Sequence, residues 1–216
     1  MPAATGTALS QAGCFLPPTS GTALPEPARL LPSALETPVS EPILTLTLAS
    51  CPVSQALVMA TAGRPGGFLL PAREPEPLVS LTLARRPVRD VMREIAELAG
   101  FGCVAEGDFF ILARPQTAAF YRRFADLDLP PGSPAISLAA DRADLGDLLA
   151  TIARRLPIDI VCHPDLAATL TVQVRDVPWR VLFHGLAAAA EADCRFATPT
   201  VFLAPRGRLG SSWRGN

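Results

Sequence analysis

Lysine is absent from this chain. All 19 cationic side chains among its 216 residues are arginine, set against 20 carboxylates for a net charge of −1. A near-neutral chain has no global field to draw it to nucleic acid or an acidic membrane surface. With the abundance of Ala, Pro and Gly, the missing lysine reads as the mark of a GC-rich coding sequence rather than of a function. Aromatics are scarce at 6%, so the stacking platforms of a single-strand binder are missing. The cluster Arg85, Arg86, Arg89 and Arg93 therefore reads as a solvated helix face. No run of eighteen apolar residues exists, so no membrane-spanning helix is expected. The N-terminus lacks the basic n-region and continuous apolar h-region of a standard signal peptide. The run Leu9-Ser10-Gln11-Ala12-Gly13-Cys14 faintly resembles a lipoprotein cleavage site that would place a lipid on Cys14. Gln11 stands where such sites want a small or aliphatic residue, and chance likeness is the plainer reading.

Reactive side chains are few. Five cysteines (Cys14, Cys51, Cys103, Cys162, Cys194) form no CxxC, and their odd count rules out a complete disulfide framework. Cys103 and Cys194 lie in apolar strands and read as small buried hydrophobes. A Cys162–Cys194 bridge stays open if the compartment is oxidising. Of the two histidines, His163 lies in Cys162-His163-Pro164-Asp165, which reads as a turn rather than a metal seed because no second ligand cluster accompanies it. His184 occupies a polar helix position and reads as solvated. Neither has a Cys or Ser nucleophile at a motif spacing. Gly63-Arg64-Pro65-Gly66-Gly67 lacks the Lys-Ser/Thr ending of a phosphate loop and does not open a helix. The expectation is a non-enzyme with no cofactor and no metal. The rival is a metal-dependent enzyme using Cys162, His163 and Asp165.

What the chain does contain is the same unit twice. Leu78–Pro115 and Thr169–Arg206 align without a gap at a constant offset of 91, pairing Pro87 with Pro178, Arg89 with Arg180, Ala96 with Ala187, Cys103 with Cys194 and Leu112 with Leu203. Upstream the offset is 92, as in Leu46/Leu138 and Leu57/Leu149, and one inserted residue before the middle strand accounts for the change. A repeated small module without a catalytic set points to binding or assembly.

Periodicity assigns the elements. Leu44, Leu46 and Leu48 alternate with threonine as a half-buried strand. Pro52 suits the first position of a helix whose stripe is Val53, Ala56, Leu57 and Ala60. Phe68–Leu70 is a short strand and Val79–Leu83 another. Pro87 opens a second helix carrying Val88, Val91, Met92 and Ile95, and a hairpin across Glu106-Gly107-Asp108 closes the unit. The second unit repeats this order, with Pro178 opening its second helix. Each reads β-α-β-β-α-β-β, so the fold class is α+β: two tandem small sandwiches joined by a Pro-rich linker. The expected boundaries are a disordered Pro-rich leader at 1–42, a first domain at 43–115, a linker at 116–134 with a short helix over Ala118–Phe124, a second domain at 135–206 and a flexible tail at 207–216.

Three stretches carry a family resemblance. Pro52-Val53-Ser54-Gln55-Ala56-Leu57 resembles the Pro-Leu-Ser-Gln-Ala-Leu opening of the short N-terminal domain of signal-transducing TonB-dependent receptors. Ile160-Val161-Cys162-His163-Pro164-Asp165 resembles the Ile-Val-Val-Asp-Pro-Asp strand and turn of bacterial secretins, and Leu170–Leu182 resembles the secretin strand that runs through Asp-Val-Pro-Trp into the second helix. The two copies cover about 140–145 of the 216 residues. The resemblance to this secretin/TonB short N-terminal family implies a periplasmic protein–protein contact domain serving an outer-membrane secretion, pilus or uptake machine. It departs from the family in that nothing after Arg206 is long enough for a secretin pore or a receptor barrel. The expectation is therefore an accessory adaptor subunit, with a truncated secretin reading frame as the alternative. Docking is expected through open strand edges and through Trp179, Arg180, Asp176 and the equivalent Arg89. The expected partners are proteins of that machine, with self-association left open.

Overall fold

A computed structural model describes residues 42–121, 134–197 and 199–209. The leader with Cys14, most of the linker and the end of the tail lie outside the described residues. All described residues belong to one compact unit, Ser40–Asn216.

The fold class is α+β. The first half runs β1 (Ile43–Pro52), α1 (Val53–Thr61), β2 (Gly66–Pro71), β3 (Leu78–Pro87), α2 (Val88–Leu98), β4 (Gly102–Glu106) and β5 (Phe109–Ala113). A short helix α3 (Pro115–Tyr121) follows, starting three residues before the expected Ala118 because Pro115 can occupy a first-turn position at no hydrogen-bond cost. The Tyr121 hydroxyl donates to the Ala192 carbonyl and so ties α3 to the second half. That half runs β6 (Ala135–Asp144), α4 (Leu145–Ala153), β7 (Asp159–Cys162), β8 (Thr169–Pro178), α5 (Trp179–Ala189), β9 (Ala192–Ala197) and β10 (Thr200–Pro205).

The repeat is visible in the hydrogen-bond register. In the first half Leu46 pairs with Leu83, Leu48 with Leu81 and Pro52 with Leu78. In the second, Leu138 pairs with Val174, Ala140 with Val172 and Asp144 with Thr169, each partner displaced by the same 92 or 91. The parallel pairs Gly67/Phe109 and Asp159/Thr200 obey the same rule. So do the bulges. Arg85 (φ 53°) and Asp176 (φ 55°) are matched left-handed residues, as are Ser50 (φ 48°) and Arg142 (φ 47°). Left-handed backbone costs energy for a residue with a Cβ, and each bulge offsets it with a hydroxyl across the strand. Asp176 N–H donates to Ser137 Oγ at 3.0 Å and Arg85 N–H to Thr45 Oγ1 at 3.1 Å.

The prolines sit one residue earlier than expected. Pro52, Pro87 and Pro178 are N-cap residues with extended ψ (139°, 140° and 131°), each the last residue of a strand. A capping proline offers no side-chain acceptor, so the first helical N–H finds a strand-end carbonyl. Val53 donates to Pro77 and Val88 to Pro42 at 3.0 Å, and Trp179 to Pro134 at 3.0 Å. In α4 the N-cap residue itself supplies the acceptor, Asp144 taking the Gly146 N–H at 2.7 Å.

Three sheets form: β1-β3, β7-β10-β9 and a five-stranded sheet ordered β4-β5-β2-β8-β6. The last crosses between the halves, because β2 pairs antiparallel with β8 from Gly66/Arg175 to Pro71/Leu170. Its two faces serve different cores. Phe68, Leu70, Phe110 and Leu112 join the first-half core, whereas Leu69, Phe109 and Ile111 join the core built around α4 and α5. Helix α5 lies on that second face, and Gly185 permits the approach. A Cβ there would stand 2.7 Å from Leu69 Cδ1 and 2.9 Å from the Phe109 ring.

One cysteine expectation fails. Cys162 and Cys194 both pair with Leu203, on opposite sides of β10. Two strand spacings, about 9.5 Å, separate them. A disulfide needs Cα atoms within about 7 Å, and both thiols are free.

Candidate docking surface

Trp179, Arg180 and Asp176 meet where β8 turns into α5. Trp179 is half-buried and packs edge-on against Phe183 (ring centroids 5.9 Å) and Phe196 (5.5 Å). The Arg180 guanidinium lies over both the Trp179 ring (5.2 Å) and the Phe196 ring (5.5 Å). Such a stack contributes about 0.5–1 kcal/mol near solvent and holds the guanidinium in one place. Asp176 is exposed, and its carboxylate accepts from the Ser137 hydroxyl at 3.1 Å. A packed indole, a fixed cation and a fixed carboxylate thus share one corner.

Arg89 occupies the equivalent corner of the first half, exposed on α2. It lines a cavity of about 480 Å³ with Arg93, Glu97 and Glu106. A second cavity of about 330 Å³ is lined by Asp176, Val177, Pro178 and Val181 together with Pro65, Phe109 and the same Glu106. Glu106 borders both cavities, and burial raises its carboxyl above the ordinary range. Glu106 and Asp108 had been read only as a hairpin turn. Their place beside Asp176 and Val177 depends on pairing between the halves, and the Glu-Gly-Asp turn is the only local signal.

His184 is not solvated as its polar position suggested. Its ring stands 4.9 Å from that of Phe196, because β9 folds back over α5 at this point. Burial, with Arg180 adding to it, lowers its pKa to about 4 from an ordinary 6.5. As pH falls the unfolded chain takes up this proton first, so the stability supplied by the neutral ring is complete above pH 6.5 and is lost between 6.5 and about 4. The urea midpoint should fall between pH 7 and pH 5, and should fall less in His184→Gln. Equal falls in both proteins would assign the effect to other groups.

His163 closes the expected turn. Asp165 N–H donates to its Nδ1 at 3.2 Å and Leu166 N–H to its carbonyl at 2.9 Å. Asp165 is engaged by Arg208 at 3.0 Å. Among the described residues no three of His, Cys, Asp and Glu converge as a metal-ligand set. The Cys162 and Cys194 thiols are raised by burial, Cys194 to about 12, with Asp144 adding to the Cys162 shift. Among the described residues no helix is long and apolar enough to cross a membrane. Compared with known proteins, the chain matches no family model and no curated sequence.

Proposed function

We propose that this chain is a non-enzymatic periplasmic adaptor built from two short N-terminal domains of the secretin/TonB type, docking protein components of an outer-membrane secretion, pilus or uptake machine. One observation carries the reading. The β-α-β-β-α-β-β order of the first half recurs in the second with every strand register preserved. A duplicated module of this kind is a scaffold for contacts rather than for chemistry. Open edges support docking. Among the described residues β3 pairs only with β1 over its ten residues, and the two ends of this ribbon carry the exposed apolar residues Leu78 (62%) and Ile43 (54%). Unpaired strand edges accept partner strands. The corner of Trp179, Arg180 and Asp176, with Arg89 at the matching corner of the first half, supplies side-chain specificity.

Affinity capture from a fractionated cell envelope tests this. Arg180→Ala combined with Arg89→Ala should reduce the recovered partner at least fivefold while the melting temperature falls by no more than about 4 °C, because the lost Arg180 stack costs about 0.5–1 kcal/mol. Trp179→Ala should reduce capture and lower stability together, since the ring packs on Phe183 and Phe196. Undiminished capture by the double arginine variant would remove this corner as the docking site.

A further inference from the structure

The seam between the halves makes a groove that neither half has alone. Its walls are α1, with Gln55 and Val58, and the β6–β8 ribbon, with Ala139 and Gln173. A cavity of about 450 Å³ beside α1 and another of about 350 Å³ beyond it both touch Ala139 and Gln173, so they form one trough. The far end is strongly basic. Arg64, Arg155 and Arg175 line it, and no carboxylate does. Among the described residues none of the three forms an ion pair. Arg155 instead donates from Nη1 to the Ser137 carbonyl at 2.7 Å, which fixes its place on the rim.

These arginines are not products of the duplication. The residues at the matching positions of the other half are Leu156 for Arg64, Gly63 for Arg155 and Ala84 for Arg175. None of the three cations is shared with the other copy, and they lie on the α1–β2 loop, just past α4 and on β8, where the halves meet. The near end carries the opposite sign, with Asp141 holding the Thr171 hydroxyl at 2.9 Å. Thr171 and Arg175 are four residues apart on one strand, about 13 Å at 3.3 Å per residue. Between the charged ends the waist is apolar, with Val58 38% exposed and Ala139 and Ala140 opposite.

We propose that this groove binds an extended acidic peptide segment from a partner protein. Its carboxylates would reach Arg64, Arg155 and Arg175, and a cationic group about four residues earlier would lie near Asp141. Guanidinium groups suit this task because their planar forks pair with carboxylates in bidentate fashion. A free phosphate would fill only the basic end and leave the apolar waist wet. Nucleic acid finds no aromatic platform in the lining. The inference rests on the docking reading and specifies the chemistry of one partner segment.

The probe is a fluorescein-labelled peptide, Arg-Val-Thr-Val-Glu-Glu with a free carboxyl terminus, titrated against the full chain by fluorescence anisotropy. Saturable binding is expected, weakened at least tenfold by Arg64→Gln, Arg155→Gln and Arg175→Gln together, and weakened equally when both glutamates of the peptide become glutamine. The melting temperature of the triple variant serves as the folding control. Binding unaffected by the arginine changes, or absent altogether, would overturn the groove. So would calorimetric binding of inorganic phosphate that needs the three arginines while the peptide shows none, since that defines a small-anion site. Partner capture through Arg180 and Arg89 is read separately, so failure of the groove leaves the adaptor reading to its own test.

Discussion

Gly67→Ala should lower the unfolding free energy by about 3–5 kcal/mol and open the five-stranded sheet at its seam. Gly67 has φ +118°, and a Cβ there would lie 1.9 Å from the Gln173 carbonyl oxygen and 3.0 Å from Val174 Cα. Both contacts are with backbone, so no side-chain rotation relieves them. Backbone strain of this kind costs about 1–3 kcal/mol, and forced displacement of packed neighbours costs about 1–3 kcal/mol more. Against a typical total of about 5–15 kcal/mol this is a large fraction. Urea denaturation measures the loss, and hydrogen exchange locates it. Protection should fall first at Phe68–Leu70 and Thr171–Gln173, which pair across the seam. Gly63→Ala is the control. It also has positive φ (72°), but a Cβ there meets nothing within 4 Å, so a cost of only about 1 kcal/mol is expected. Equal losses in the two variants would mean that the close approach at Gly67 is not what matters.

Phe183→Ala should cost about 3–5 kcal/mol, the usual range for emptying a fully buried aromatic site. Phe183 is 0% exposed. Its ring meets Trp179 at 5.9 Å and Phe196 at 6.5 Å, both edge-on. Truncation would leave Trp179 without its inner neighbour and Arg180 without a fixed platform. Loss of near-ultraviolet circular dichroism from Trp179 should therefore accompany the loss of stability. Partner capture should weaken even at temperatures where the variant is folded. A variant that loses stability but keeps the Trp179 signal would show that the indole is held by Phe196 alone.

Local pattern made most of the elements legible. Alternating Leu44, Leu46 and Leu48 became β1, and the stripe Val88, Val91, Met92 and Ile95 became the buried face of α2. These signals span one strand or one helix and need no tertiary information. Contacts between the halves were hidden for the converse reason. Gly66-Gly67 looked like a loop that fails as a phosphate binder, yet it is the start of a strand pressed against β8. Gly185 carries no local sign of its role, yet it lets α5 sit on Leu69 and Phe109. His184 seemed polar because it aligns with Arg93, which is exposed and paired with Asp90 at 3.2 Å. The two positions differ through what covers them, and covering is a property of β9 rather than of the helix. Of the docking residues, the corner of Trp179 and Arg180 was suggested by the run around Pro178. Arg64, Arg155 and Arg175 lie far apart in the chain and converge only once β2 has paired with β8.

The seam also gives the pair of halves a direction. Its close contacts depend on Gly67 and Gly185, whereas the matching places on the outward-facing surfaces carry Asp159 and Glu94. A further module docking by the same geometry would meet a carboxylate, Asp159 at one end or Glu94 at the other, where the internal contact tolerates no Cβ. Duplication has thus been followed by loss of interchangeability: one half is shaped only to precede and the other only to follow.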